Sequence, residues 1–451
     1  MNIESSKSDG IHILGGGPAG LSTGYYAQKS GLDFTIYEAG SEPGGNCRTL
    51  RLGDFLFDTG AHRVHDKDAE ITDEIRNMLG DDLFEVSAPS EIYSEGNFFR
   101  FPLQLANLVN QLDAKTLLQI AYENVVKPRK QTVDTFGSFA LNQYGPTLAN
   151  LFLLNYSHKL WGVDPHTLSK EVSGGRLKGL DLANFIREIL LGKRSRPEHI
   201  DGSFLYPKYG IGMVADAMYE AIGKGRIHTE SRVSKLLHSG GRIDRILIND
   251  DTEVEVSTVV NTLPLTLSAK ILDPSPPTEL LEAADAIKYR NLILCVFGLD
   301  RTRFSPNASL YFPDAELPFT RIYEPKNRSS FMAPEGQTAI VIECPCFDHD
   351  QMWSMPSEAV RNTVWKALQG VQVLKEREVV CFQMFRLPFA YPVLEVGFSE
   401  HVDRLVDYFQ HFDNLHLTGR NSLFRYVHMH DLMRSGKELV DQLLVPLGEY
   451  A

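Results

Sequence analysis

The stretch Ile11-His12-Ile13-Leu14-Gly15-Gly16-Gly17-Pro18-Ala19-Gly20 decides the fold. Its first four residues read as a short strand, and glycines at 15, 17 and 20 read as a tight turn. Leu21, Tyr25 and Ala27 then follow helical spacing up to Gly31. Phe34-Thr35-Ile36-Tyr37-Glu38 reads as a second strand. Strand, glycine turn, helix and strand together make a dinucleotide-binding unit. The glycines let the backbone approach a pyrophosphate, which rests on amides at the helix N-terminus. Glu38 ends the second strand 18 residues after Gly20, where an acid meets a ribose hydroxyl pair. Gly15, Gly17, Pro18, Ala19, Gly20 and Glu38 are therefore candidate cofactor-binding residues. No second GxGxxG follows: Gly210-Ile211-Gly212 lacks a preceding strand and a partner glycine, and reads as a turn starting a helix.

The rest of the chain bounds what such a unit can serve. It has 451 residues, 43% hydrophobic and 23% charged, enough to bury a sizeable core. At roughly 100–200 residues per domain, two or three domains are expected. The net charge of −13 argues against a nucleic-acid or anionic-membrane binder, because the long-range field repels polyanions. An anionic ligand must be held by local arginines. No apolar run approaches the ~18 residues of a spanning helix, and MNIESSKSDG is too polar for a signal peptide. A cytoplasmic protein is expected. The five cysteines show no CxxC pair, so neither a disulfide framework nor a metal site is expected, and Cys344 and Cys346 alternate as in a strand.

Residues 69–200 read mainly helical, from ITDEIRNMLG to LDLANFIREILLG. Short β-like runs return after Pro207, and from 288 to 400 strands such as LILCVFGL and TAIVIECPCF dominate. NLHLTGR then leads into the helix HDLMRSGKELVDQLL. The expected fold class is α/β: a Rossmann-type dinucleotide-binding domain assembled from 1–68, 201–270 and 401–451, a helical substrate domain at 69–200, and an antiparallel β-sheet substrate domain at 271–400.

Further motifs carry a family resemblance. Glu38-Ala39-Gly40-Ser41-Glu42-Pro43-Gly44-Gly45-Asn46-Cys47-Arg48-Thr49 resembles the second glycine motif of glutathione-reductase-type FAD-binding families. The chain resembles the flavoprotein group containing monoamine oxidases, protoporphyrinogen oxidases and UDP-galactopyranose mutases. Asn46 after Gly44-Gly45, where the oxidases commonly have Arg, is more like the mutases. Phe57-Asp58-Thr59-Gly60-Ala61-His62 resembles the mutase segment whose histidine lies against the isoalloxazine. Phe101-Pro102-Leu103-Gln104 resembles a uridine-contacting segment, with Phe101 where the family often has Tyr. Asn155-Tyr156-Ser157-His158-Lys159-Leu160-Trp161-Gly162 matches in the spacing of Tyr156 and Trp161. Arg176 falls where the family places a diphosphate-binding arginine. Tyr311, Arg321 and Tyr391 resemble further diphosphate contacts. The closing segment, with Gly419, Arg420, Tyr426 and Met429, is similar to the last FAD motif, and Val233 joins the cofactor set. His430 stands where eukaryotic members carry Asn.

This resemblance implies an FAD-dependent mutase that interconverts pyranose and furanose forms of a nucleotide-diphospho-sugar through a reduced-flavin N5-sugar adduct. Phe101, Gln104, Tyr156, Trp161, Tyr311, Tyr391 and Tyr426 would bind substrate. Arg176 and Arg321 would hold the diphosphate, a bidentate, charge-assisted role suited to the guanidinium fork, and His62 would orient or tune the flavin. The FAD would be active when reduced, by an external reductant such as NAD(P)H, and the reading leaves room for a homo-oligomer. The alternative is an FAD-dependent oxidoreductase of the protoporphyrinogen oxidase or amine oxidase type, which needs an apolar channel and no diphosphate clamp.

Overall fold

The computed structural model describes residues 10–126, 134–173, 203–371 and 374–444. Arg176 and the helical pattern at 180–192 lie outside the described residues.

Five parallel strands form the nucleotide layer, in the order Leu415–Leu417, Thr258–Asn261, Ile11–Leu14, Phe34–Tyr37 and Ile227–His228. All four residues of Ile11–Leu14 are buried, as a central parallel strand covered on both faces requires. Helix Pro18–Lys29 packs on one side against helices Gly212–Ile222 and Met429–Leu444. On the other side Leu14 and Tyr37 share a core with Val233, Leu236, Ile246, Leu405 and Phe409. Several of these come from a four-stranded sheet ordered Thr252–Glu255, Arg242–Ile248, Val233–Ser239 and Leu272–Asp273.

The larger sheet has seven strands, ordered Val379–Val393, Lys288–Leu299, Thr338–Cys346, Arg321–Tyr323, Ser309–Tyr311, Ser90–Ser94 and Asn97–Phe101. Pairing is antiparallel except between Ser309–Tyr311 and Ser90–Ser94. The two-residue period of a strand sorts its faces. Ile293, Cys295, Ile342, Cys344 and Cys346 pack with Val360, Val364 and Leu368 of helix Ser357–Val371. Leu292, Leu294, Val296 and Val341 turn the other way, toward Phe57 and Tyr323. Cys344 and Cys346 are thus buried, free thiols of a strand, as their alternation suggests.

Two segments differ from the expected domain division. Within 69–200, the strands Leu83–Ser87, Ser90–Ser94 and Asn97–Phe101 join sheets rather than helices. The hairpin turn lies at Glu95 and Gly96, both at positive φ (51° and 84°), the geometry that two-residue hairpins favour. Residues 271–287 belong with the nucleotide layer: Leu272 pairs with Leu236, and Ala283, Ala284 and Ile287 enter the core around Val233. Short strands between helical segments have too few residues to show their period, so partners elsewhere decide them. Among the described residues, no helix is long and apolar enough to cross a membrane.

Candidate active site

Three glycine segments meet at the start of helix Pro18–Lys29. Its N-cap is Gly17, which supplies no capping side chain and leaves first-turn amides available to an anion. Gly20 allows the turn to close, since a Cβ there would lie 1.9 Å from the Gly15 carbonyl oxygen. The Gly44 amide donates to the Gly16 carbonyl at 2.8 Å, bringing the second motif alongside the first. Gly419, at φ 101°, faces Ala19 so closely that a Cβ would lie 2.8 Å from the alanine methyl. The elements named by Gly15, Gly17, Pro18, Ala19, Gly20, Gly44, Gly45 and Gly419 therefore form one cradle. Asn46 borders it, its carbonyl accepting from Thr59 Oγ1 at 2.8 Å.

Glu38 stands at the expected strand end, where its carboxylate accepts from the Gly16 and Gly40 amides, each at 2.7 Å. It braces both glycine loops. Val233 is buried beside Tyr37, and Met429 is buried at the start of the closing helix.

On the sheet side, a cross-strand row carries the charged groups. Tyr311 pairs with Arg321, Arg321 with Glu343, and Glu343 with Leu294. Arg321 donates to Glu343 through Nε and Nη2, both at 2.8 Å. Burial opposes the guanidinium charge, but Glu343 and the hydroxyls of Tyr391, Tyr311 and Tyr156 outweigh it and hold its pKa above the ordinary value. Tyr156 and Tyr391 are in turn pushed above the usual phenol range, chiefly by burial. Glu343 also accepts from the Ala61 amide at 3.1 Å, which ties the row to the loop carrying His62.

His62 is held by Arg328, whose Nη1 donates to its carbonyl at 2.9 Å. Its Nε2 is buried without a hydrogen-bond partner. Burial lowers the imidazole to about 3, helped by the positive charges of Arg321, Arg420 and Arg328, so it is neutral at physiological pH. Arg420 donates to the Ala390 carbonyl at 2.7 Å and lies over Tyr426 and Tyr391, 4.5 and 5.3 Å from the ring centres. Its Nε, like Arg328 Nε, is also buried without a hydrogen-bond partner. Trp161 completes an aromatic wall, edge-on to Tyr391 at 6.0 Å and Tyr426 at 6.1 Å.

The structure thus gathers Tyr156, Tyr311, Arg321 and Tyr391 around one charged row, with Arg420 and Tyr426 stacked on Tyr391 and Trp161 edge-on to it. Phe101 sits at the rim, 42% exposed with its ring 5.6 Å from Tyr311. Gln104 is exposed at the start of helix Leu105–Gln111 and accepts from Arg100. Sequence reasoning missed Glu343 and Arg328. The former had a signal, a lone acid within the apolar run TAIVIECPC; Arg328 had none.

A family model of flavin containing amine oxidoreductases matches residues 18–444. A crystal structure of reduced UDP-galactopyranose mutase shares the fold with a TM-score of 0.83, at 18% identity over 97% of this chain and 96% of that one. Coproporphyrinogen III oxidase of Staphylococcus aureus is 20% identical over 97% of this chain and 99% of its own length. Protoporphyrinogen oxidase 2, chloroplastic/mitochondrial, of Arabidopsis thaliana is 21% identical over 53% of this chain, which spans about half (52%) of that relative. The residues present fit a dinucleotide flavin: a glycine cradle faces an open helix N-terminus, and the buried polar atoms of His62 and Arg420 lack partners. The chain belongs to the flavin containing amine oxidoreductase family, and its cofactor is FAD.

Proposed function

We propose that this protein is an FAD-dependent mutase acting on a nucleotide-diphospho-sugar, interconverting its pyranose and furanose forms without net oxidation. The observation that carries this reading is Arg321, tied to Glu343 and directly opposite Tyr311 on the neighbouring strand, with Tyr156 edge-on to Tyr311 at 5.9 Å and Tyr391 near enough to act on its charge. A buried guanidinium among hydroxyl donors suits a diphosphate, whose oxygens accept charge-assisted bonds. Glu343 takes Nε and Nη2 and leaves Nη1 for the ligand. Arg176 would supply the second charge.

Held by the glycine cradle at Gly15, Gly17, Gly20, Gly44 and Gly419, reduced FAD would supply a nucleophilic nitrogen for the sugar's anomeric carbon. The protein's own part is to stabilise charge on the departing diphosphate through Arg321 and the tyrosines. Trp161, Tyr391 and Tyr426 wall the site against water, while Phe101 and Gln104 meet the nucleoside end at the rim. His62 stays neutral, so its Nε2 is free to orient the cofactor without adding charge.

The second reading, an FAD-dependent oxidoreductase, is favoured by relatives named as porphyrinogen oxidases and by the aromatic wall. One experiment separates the two. Dithionite-reduced protein is incubated anaerobically, and oxidised protein aerobically beside an oxygen electrode, with a panel of nucleotide sugars, and furanose product is followed by chromatography in both. Product formed only after reduction, with no oxygen consumed, supports the mutase. Oxygen uptake in step with substrate loss overturns it in favour of the oxidoreductase.

A further inference from the structure

Lys159 lies on helix Asn155–Trp161, between the two site residues Tyr156 and Trp161. Its ammonium donates to three backbone carbonyls of a single connection: Phe312 at 2.7 Å, Asp314 at 2.7 Å and Phe319 at 2.8 Å. That connection joins strand Ser309–Tyr311 to strand Arg321–Tyr323. The first anchored carbonyl follows Tyr311 directly, and the last lies two residues before Arg321. An ammonium has three donors and no acceptor, so its whole capacity is spent on this one loop. A second bolt holds the same helix: Arg290 donates through Nη2 to the carbonyls of Lys159 (3.4 Å) and Pro345 (3.1 Å) and pairs with Asp350 at 3.0 Å.

We propose that Lys159 is a positioning residue of the ligand site: its charged ammonium fixes Tyr156 on the helix against Tyr311 and Arg321 on the hairpin, and its charge state governs affinity for an anionic ligand. The proposal rests on the reading of this row as a diphosphate site. Without the ammonium, the loop keeps the Phe312 amide to the Thr320 carbonyl and the Thr320 amide to the Glu343 carbonyl, both at 2.9 Å, the Leu317 amide to the Asp314 carbonyl at 3.3 Å, and the Asp314 carboxylate's bonds from Ser94 Oγ (3.1 Å) and the Glu95 amide (3.0 Å); none of these reaches helix Asn155–Trp161.

The charge state is within reach of ordinary pH. Burial pulls Lys159 down to about 8, opposed by Asp314 and Glu316 of the connection and by Cys344 of strand Thr338–Cys346. A neutral amine has two donors, so one carbonyl loses its partner as pH rises past 8. Other groups of the site titrate elsewhere: Tyr156 and Tyr391 are pushed above the usual phenol range, Arg321 stays charged, and His62 titrates at about 3.

The test uses the full, FAD-loaded chain as wild type, Lys159→Met and Lys159→Arg. Amide hydrogen exchange is measured across residues 309–323, and uridine diphosphate is titrated from pH 7 to 9.5. In Lys159→Met, exchange in 309–323 should quicken about tenfold, with the nucleotide layer unchanged, as the loss of charged hydrogen bonds implies. Wild-type affinity for uridine diphosphate should fall about tenfold over the pH range, whereas Lys159→Arg, which keeps its charge, should stay flat. Unchanged exchange in 309–323 of Lys159→Met overturns the positioning role. Equal pH dependence in wild type and Lys159→Arg overturns the charge link, and this comparison decides the matter if Lys159→Met does not fold. Absence of uridine diphosphate binding by wild type at every pH overturns the diphosphate reading instead, while exchange still judges the positioning role.

Discussion

Arg321 and Glu343 sit directly opposite each other on adjacent antiparallel strands and meet through two guanidinium nitrogens, with Glu343 only 1% exposed. A buried pair of this kind matters less for its net worth than for what remains when one member is removed. Glu343 also receives the Ala61 amide, so the pair links the sheet to the His62 loop.

Glu343→Gln should therefore leave Arg321 without its counter-charge and lower stability by about 3 kcal/mol, the lower end of what breaking a buried pair costs, because the amide oxygen still accepts hydrogen bonds. Uridine diphosphate should bind more tightly, since Arg321 no longer shares its charge. Urea unfolding and calorimetric titration check the two halves. A variant as stable as wild type would show that the pair carries no such burden.

Gly20→Ala should yield protein without bound FAD. The new methyl would lie 1.9 Å from the Gly15 carbonyl oxygen, and backbone rather than a flexible side chain would have to yield. The ratio of flavin to protein absorbance after reconstitution reads the result, and a fully yellow variant would contradict it.

His62 should leave a mark on the pH dependence of stability. Its folded value of about 3 lies below the ordinary 6.5, so between these values the unfolded chain binds a proton that the folded chain does not. This contribution to stability is complete above pH 6.5 and is lost progressively as pH falls toward 3. His62→Gln removes it, so unfolding free energy should fall less steeply across that window than in wild type. Parallel curves for the two proteins would mean that His62 is protonated in the folded state.

Arg420→Lys should lower stability by about 1–2 kcal/mol, through loss of the stacked guanidinium. The ammonium can reach the Ala390 carbonyl, but it cannot lie flat over Tyr426 and Tyr391. Thermal unfolding measures the cost, and tyrosine fluorescence reports the altered stack.

The cofactor half of this protein was legible in the order of its residues, because the glycine turn, the helix start and the acid at the second strand end are local. A tight turn needs glycine whatever surrounds it, so Gly15, Gly17, Gly20 and Glu38 announce themselves at fixed offsets. The resemblance likewise singled out Tyr311 and Arg321, which the hairpin register places face to face. What spacing could not show was the charge balance of the site. Glu343 comes 22 residues after Arg321, and only the pairing of their two strands makes them partners. Lys159 reaches a loop more than 150 residues away, and Arg328 grips a carbonyl 266 residues earlier. Strands near Glu95 were hidden for the same reason: a segment of five residues is too short to reveal its period until a sheet edge receives it. Local backbone geometry determined the glycine cradle at the helix start, and long-range strand pairing decided which charged groups meet in the row of Tyr311, Arg321 and Glu343.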